Sequence, residues 1–116
     1  MGRRLLSKGP EAEFQDAVVR YARLKGWRVA HFRRATVREG RHATPVAYDG
    51  GGFPDLTMVR GGIIVFAELK RAGVRKLQPE QAIWREELIK AELVSAGVFY
   101  YVWNPHDIKE IERILR

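Results

Sequence analysis

The chain has 116 residues, of which 46% are hydrophobic and none is cysteine. That is enough apolar material for one packed domain, and it excludes disulfides, thiolate chemistry and cysteine-held zinc. The 21 Lys and Arg against 14 Asp and Glu leave a formal net charge of +7, which favours a polyanionic partner, nucleic acid first. No apolar run suits a bilayer span and no signal-peptide pattern opens the chain, so a cytoplasmic protein without a membrane partner is expected.

Residues 1–9 hold Arg3, Arg4 and Lys8 with two glycines and read as a basic flexible tail, leaving 10–116 as the folded domain. Pro10 suits the first turn of a helix, where its missing N–H is not needed. Phe14, Ala17, Val18, Tyr21 and Leu24 then recur at helical spacing up to Gly26, so a helix is expected over 10–25. Trp27 to Arg33 alternates as a strand. Ala35 to Gly52 has no clear period and is expected to be a long mobile loop of functional interest.

Leu56 to Val59 and Ile63 to Lys70 read as strands around Gly61-Gly62. Arg71 to Leu77 is a basic connection. Pro79 to Ala96 reads as a second helix with Ile83, Trp84, Leu88, Ala91 and Val94 on its apolar side, stopped by Gly97. Val98 to Trp103 is an apolar-aromatic strand. Asn104-Pro105 then caps and starts a last helix with Ile108, Ile111 and Leu115 facing inward. The order is helix, three strands, helix, strand, helix: an α/β domain with a central mixed sheet flanked by helices.

The hairpin carries the chemistry. A two-residue type I′ turn needs positive φ at both central positions, which Gly61-Gly62 supplies. Arg60 then faces Ile63, and five steps back Asp55 lands opposite Glu68. Directly opposed residues share a face with Cβ atoms roughly 4.5–5.5 Å apart, and Lys70 shares it two residues on. Two like charges there are costly for structure alone. A hard divalent cation such as Mg²⁺, held by one or two carboxylates plus waters and phosphate oxygens, removes the cost.

Pro54-Asp55 followed by Glu68-Leu69-Lys70 resembles the PD-(D/E)xK nuclease signature. With "EAEFQ", a helix end at "GW", "GGFPDL", "FAELK", "KLQPEQAIW" and "YYVWNP", residues 10–115 resemble the VRR-NUC (virus-type replication-repair nuclease) domain in its compact stand-alone phage and bacterial form. The resemblance implies a restriction-endonuclease-like α-β-β-β-α-β-α core in a bacterial or phage-infected cell.

It also implies a Mg²⁺-dependent endonuclease, with Mn²⁺ as a substitute, acting in DNA repair on branched DNA in the manner of a Holliday-junction resolvase. Asp55 and Glu68 match the metal-binding acids, the Leu69 carbonyl a further ligand, Lys70 the motif lysine and Gln81 a glutamine near the site. The acid of the first helix matches Glu11, preferred over Glu13 because it precedes Gln15 by four residues; the helical wheel leaves both open. Gln78 stands where relatives often carry a serine cap.

Gln15 and the basic residues Arg33, Arg34, Arg38, Arg41, Arg71, Arg75 and Lys76 are the expected DNA contacts, which position a backbone without reading sequence. His31, His42 and His106 are assigned no role. A homodimer is expected by analogy with resolvases, with Tyr100, Trp103 or the basic tail as candidate surfaces. The alternative is a non-catalytic DNA-binding module on a nuclease-like scaffold, and RNA remains open as the substrate.

Overall fold

A computed structural model of the chain describes residues 9–32, 35–36, 42–43 and 48–116. In chain order these hold α1 (Pro10–Leu24), β1 (Arg28–His31), β2 (Ala35–Thr36), β3 (His42–Ala43), a 3₁₀ turn (Tyr48–Gly50), β4 (Leu56–Arg60) and β5 (Ile63–Leu69). After these come α2 (Pro79–Val94), β6 (Val98–Trp103), a second 3₁₀ turn (Pro105–Asp107) and α3 (Ile108–Leu115). The main sheet runs β1-β4-β5-β6, and β2 and β3 form a separate antiparallel pair.

β1 and β4, and β4 and β5, pair antiparallel; β5 and β6 pair parallel. A parallel pair needs a long crossover, and α2 supplies it. The expected mixed sheet with flanking helices is therefore present.

The β4–β5 turn is as read. Gly61 and Gly62 have φ of 55° and 85°, Arg60 pairs with Ile63, and the ladder continues to Leu56 with Ala67. The register gives the sheet two distinct faces. Leu56, Met58, Val65, Ala67 and Trp103 turn toward α1 and α3, where they join Phe14, Val18, Ala22, Trp27, Ile111 and Leu115 in one core. Each such fully buried large side chain is worth about 1.5–3 kcal/mol relative to exposure. Thr57, Phe66, Glu68 and Tyr100 turn to the other face, which α2 partly covers.

Arg60 closes the far end of the domain. Its guanidinium lies 4.5 Å over the Trp27 ring. Nη1 donates to the carbonyls of Lys25, Leu115 and Arg116 at 2.8, 3.3 and 3.1 Å. Trp27 Nε1 donates to Leu115 O at 2.8 Å. Three carbonyls at the C-terminal ends of α1 and α3, where helices leave acceptors without an internal partner, are thus bonded by two side chains, Arg60 and Trp27.

Several expectations are corrected. The first strand covers Arg28–His31 of the expected 27–33; Trp27 packs in the core before it, Phe32 follows it outside any strand, and Arg33 lies outside the described residues. The segment 35–52 is not all loop, since β2, β3 and the Tyr48–Gly50 turn fall within it. α2 ends at Val94, two residues before the expected Ala96. Of its expected apolar side, Trp84, Leu88 and Ala91 are half-buried, but Ile83 is 63% and Val94 86% exposed.

α2 runs along β6 at one edge of the sheet, so only a narrow strip of it meets apolar surface. Ile108, expected to face inward, is 37% exposed, and Asn104 caps the Pro105–Asp107 turn rather than α3 itself: Asn104 Oδ1 accepts from His106 N–H at 2.8 Å. Tyr100 and Trp103, candidates for a dimer surface, are buried.

Candidate active site

The end of β5 and the start of β4 bring the expected carboxylates together. Asp55 lies one step beyond the Leu56–Ala67 pair, which places it opposite Glu68. Asp55 Oδ2 accepts from the Leu69 N–H at 2.8 Å, fixing its carboxylate across the end of β5. Glu68 is 3% exposed.

Burial, and then the neighbouring Asp55 charge, push the Glu68 carboxyl up to about 7 from an ordinary 4.5. Burial also raises Asp55, against the opposing pull of the Leu69 N–H, His31 and Lys70. Two acids that resist ionising together suit either a shared proton or a bound cation.

Lys70 and Gln81 complete the arrangement. Lys70 Nζ stands 3.5 Å from Glu68 Oε2 and is nearly buried. It donates to Gln81 Oε1 at 2.8 Å, and Gln81 Nε2 donates to Glu68 Oε2 at 2.9 Å. Gln81 Oε1 also accepts from the Gln78 N–H at 2.8 Å. The same amide therefore caps α2 and holds two site residues, which explains how Gln78 serves as a cap position without a serine hydroxyl. Pro79 at the first helical position sets where Gln81 emerges.

The loop before Asp55 is pinned to this helix start. Gly52 has φ of 89°, and a Cβ there would fall 2.6 Å from Glu80 C and 2.8 Å from Gln81 N. Only glycine allows both the left-handed backbone and that approach. Phe53, the next residue, meets Phe32, Phe66 and Trp84 edge-on at 5.5, 5.9 and 4.9 Å. This aromatic wedge supports Pro54, which is buried, and Asp55.

Other expected residues fall around the site or away from it. Glu11 and Glu13 are both exposed on the first turn of α1. Gln15, one turn after Glu11, has Nε2 3.4 Å from His31 Nδ1, and His31 is charge-coupled to Asp55. Among the described residues no group of three or more His, Asp or Glu is arranged to hold a metal, so neither Glu11 nor Glu13 joins the Asp55–Glu68 pair in such a cluster. The pair alone still matches a hard ion that takes two protein oxygens and fills its shell with water.

Arg71 and Lys76 are exposed on the connection after β5. Arg75 is exposed but engaged: it grips Asp107 through both nitrogens at 2.9 and 2.6 Å, and Nη1 also lies 3.2 Å from Val102 O. Arg33, Arg34, Arg38 and Arg41 lie outside the described residues, as do residues 1–8 of the tail.

Two residues near the site had no assigned chemistry. His31 sits opposite Leu56, beside Asp55, and the alternation of β1 with β4 was the signal available for it. Tyr100 pairs with Phe66 on the face that carries Glu68. Burial and the Glu68 charge push its hydroxyl up to about 12, so it stays un-ionised beside the acids.

No family model, curated protein or solved structure matches this chain. Among the described residues, no helix is long and apolar enough to cross a membrane.

Proposed function

We propose that this chain is a Mg²⁺-dependent DNA endonuclease of the VRR-NUC type, acting on branched DNA. The observation that carries the reading is the pairing of half-buried Asp55 with buried Glu68, with Lys70 and Gln81 bonded into it. A purely structural pair of adjacent acids, one buried and one half-buried, is a net cost. Here Gln81 and Lys70 bond to the buried Glu68, while Asp55 keeps partial access to solvent.

Asp55 and Glu68 would hold the metal ion, with the remaining positions taken by water and phosphate oxygens. When bound, Mg²⁺ supplies a lowered water pKa and polarisation of the phosphoryl group. The Leu69 N–H keeps Asp55 turned to the end of β5. Lys70 presents its ammonium beside Glu68, where it orients the attacking water or offsets negative charge developing on the phosphate. Gln81 holds both in place. Arg71 and Lys76, next to the site in sequence and exposed, bring the phosphodiester backbone to it through salt-dependent contacts.

The test is cleavage of a labelled four-way junction, a flap, linear duplex and matched RNA, each with Mg²⁺ and with chelator. Metal-dependent cutting of the junction above linear duplex is expected, with paired symmetric nicks if two copies act together. Junction binding without any cutting would overturn the catalytic reading in favour of a binding module, and cleavage confined to RNA would reassign the substrate.

A further inference from the structure

A second recess lies on the outer side of the α2 start. Glu80, Ile83, Trp84 and Glu87 of α2 face Tyr48, Asp49 and Gly51 across a groove of about 370 Å³. Its walls are apolar and aromatic and open to solvent: Tyr48 is fully exposed, at φ 58°, and Ile83 is 63% exposed. The Trp84 indole N–H is already committed to Asp49 O at 2.8 Å. The ring therefore has only its π system and carbon edge to offer a ligand.

The rim is acidic. Asp49, Glu80 and Glu87 border the groove, and no described Lys or Arg lines it. Lys90 stands 3.5 Å from Glu87 one turn along the helix, but both side chains are about two-thirds exposed, and such a solvated contact leaves the carboxylate's field largely intact. Among the described residues, on a chain of net charge +7, this is a local reversal of sign. It repels phosphate and draws cations.

We propose that this groove docks an arginine-bearing segment of a partner protein, with the guanidinium seated against Trp84 and Tyr48 between the rim carboxylates. An aromatic face attracts a cation through its quadrupole, and carboxylates at the rim add charge-assisted hydrogen bonds. Arginine fits better than lysine because its planar fork both stacks and bonds two carboxylate oxygens. The groove shares its framework with the Asp55–Glu68 site, since Gly52 packs on Glu80 and Gln81. Its own chemistry is independent of whether that pair hydrolyses a phosphodiester.

The experiment is an NMR titration of the full chain, following the Trp84 indole resonance assigned with Trp84→Phe. The probes are acetyl-Leu-Arg-Leu-amide, its neutral citrulline counterpart and a short single-stranded oligonucleotide. The arginine peptide is expected to shift Trp84 with a Kd of about a millimolar, as suits one side-chain anchor, and to weaken with added salt.

The Glu80→Gln/Glu87→Gln double variant changes only exposed side chains. It should bind about tenfold more weakly, the factor set by two solvated ion contacts, while its spectrum without peptide stays that of the folded chain. An unmoved Trp84 overturns the proposal. So does an equal response to the citrulline peptide, which would mark a merely apolar groove. A response to the oligonucleotide instead of the peptide would make the groove a nucleic-acid surface and overturn it as well.

Discussion

Gln81 donates its side-chain N–H to Glu68 Oε2 at 2.9 Å, from the first turn of α2 to the end of β5. Because the Gln81 oxygen also accepts from Lys70 Nζ and from the Gln78 N–H, helix start and site are one hydrogen-bonded unit. Gln81→Ala should therefore lose stability and activity together. Three lost hydrogen bonds at about 0.5–1.5 kcal/mol each predict a drop of about 1.5–4.5 kcal/mol in urea denaturation. Cleavage should fall with it, and Gln81→Glu, which keeps the acceptor but sets a third acid beside Glu68, should not restore activity.

Asp55→Asn and Glu68→Gln should separate function from folding. Each is expected to lower metal-dependent cleavage by at least about 10²-fold, the scale on which an enzyme loses a group that organises transition-state charge. Each also removes one of two like charges facing each other, so the folded state at pH 8 should be as stable as wild type or more so. Loss of cutting with an unchanged or raised melting temperature is the expected pair of results. Wild-type cutting by both variants would show that the acids are not the site.

The raised Glu68 carboxyl makes stability depend on pH with a definite sign. With the folded-state value near 7 and the ordinary value 4.5, the folded chain retains a proton over this range that the unfolded chain releases. Stability from this group is complete below the lower value and is lost as pH rises through the upper one. Asp55, also raised by burial, acts in the same direction. Metal-free wild type should thus be less stable at pH 8 than at pH 5 by more than Glu68→Gln is. Mg²⁺ should raise the melting temperature more at pH 8 than at pH 6, where protons compete for the same oxygens.

Gly52→Ala should be disproportionately damaging for an added methyl group. The left-handed backbone costs about 1–2 kcal/mol for any residue with a Cβ, and the contacts at 2.6–2.8 Å are with main-chain and Cβ atoms of α2 that have no free rotamer to yield. Denaturation should show a loss above about 2 kcal/mol, and the Trp84 indole resonance should move as Phe53 is displaced. A neutral substitution would mean that the 48–54 loop is not held against α2.

Arg60→Met tests the closure at the opposite end. The variant keeps much of the apolar stem over Trp27 but removes the guanidinium from the carbonyls of Lys25 and Arg116 and leaves Leu115 O to Trp27 alone. A loss of about 1–3 kcal/mol is expected from the missing charged hydrogen bonds, with cleavage chemistry unaffected at temperatures where the variant is folded.

Much of this site could be read from local rules. Gly61-Gly62 dictates a turn with both φ positive, and once the turn is two residues long the opposition of Asp55 and Glu68 is arithmetic. Pro10, Pro79 and Asn104 mark starts of helical structure for reasons that lie within a few residues of each. What the sequence could not determine is which strip of α2 meets the sheet. Helical period places Ile83 with Trp84 and Leu88 in a broad apolar face, but α2 lies along the β6 edge and leaves Ile83 to solvent.

Nor could local pattern show that Gln81, Lys70 and Glu68 share hydrogen bonds, that Arg75 is held by Asp107, or that His31 and Tyr100 stand beside the acids. The sequence by itself determined the turn, the register and the opposed carboxylates, because these follow from backbone sterics and a period of two. Only the tertiary structure decided what surrounds the carboxylates and which apolar residues stay exposed, because both depend on how helices distant in sequence seat on the sheet.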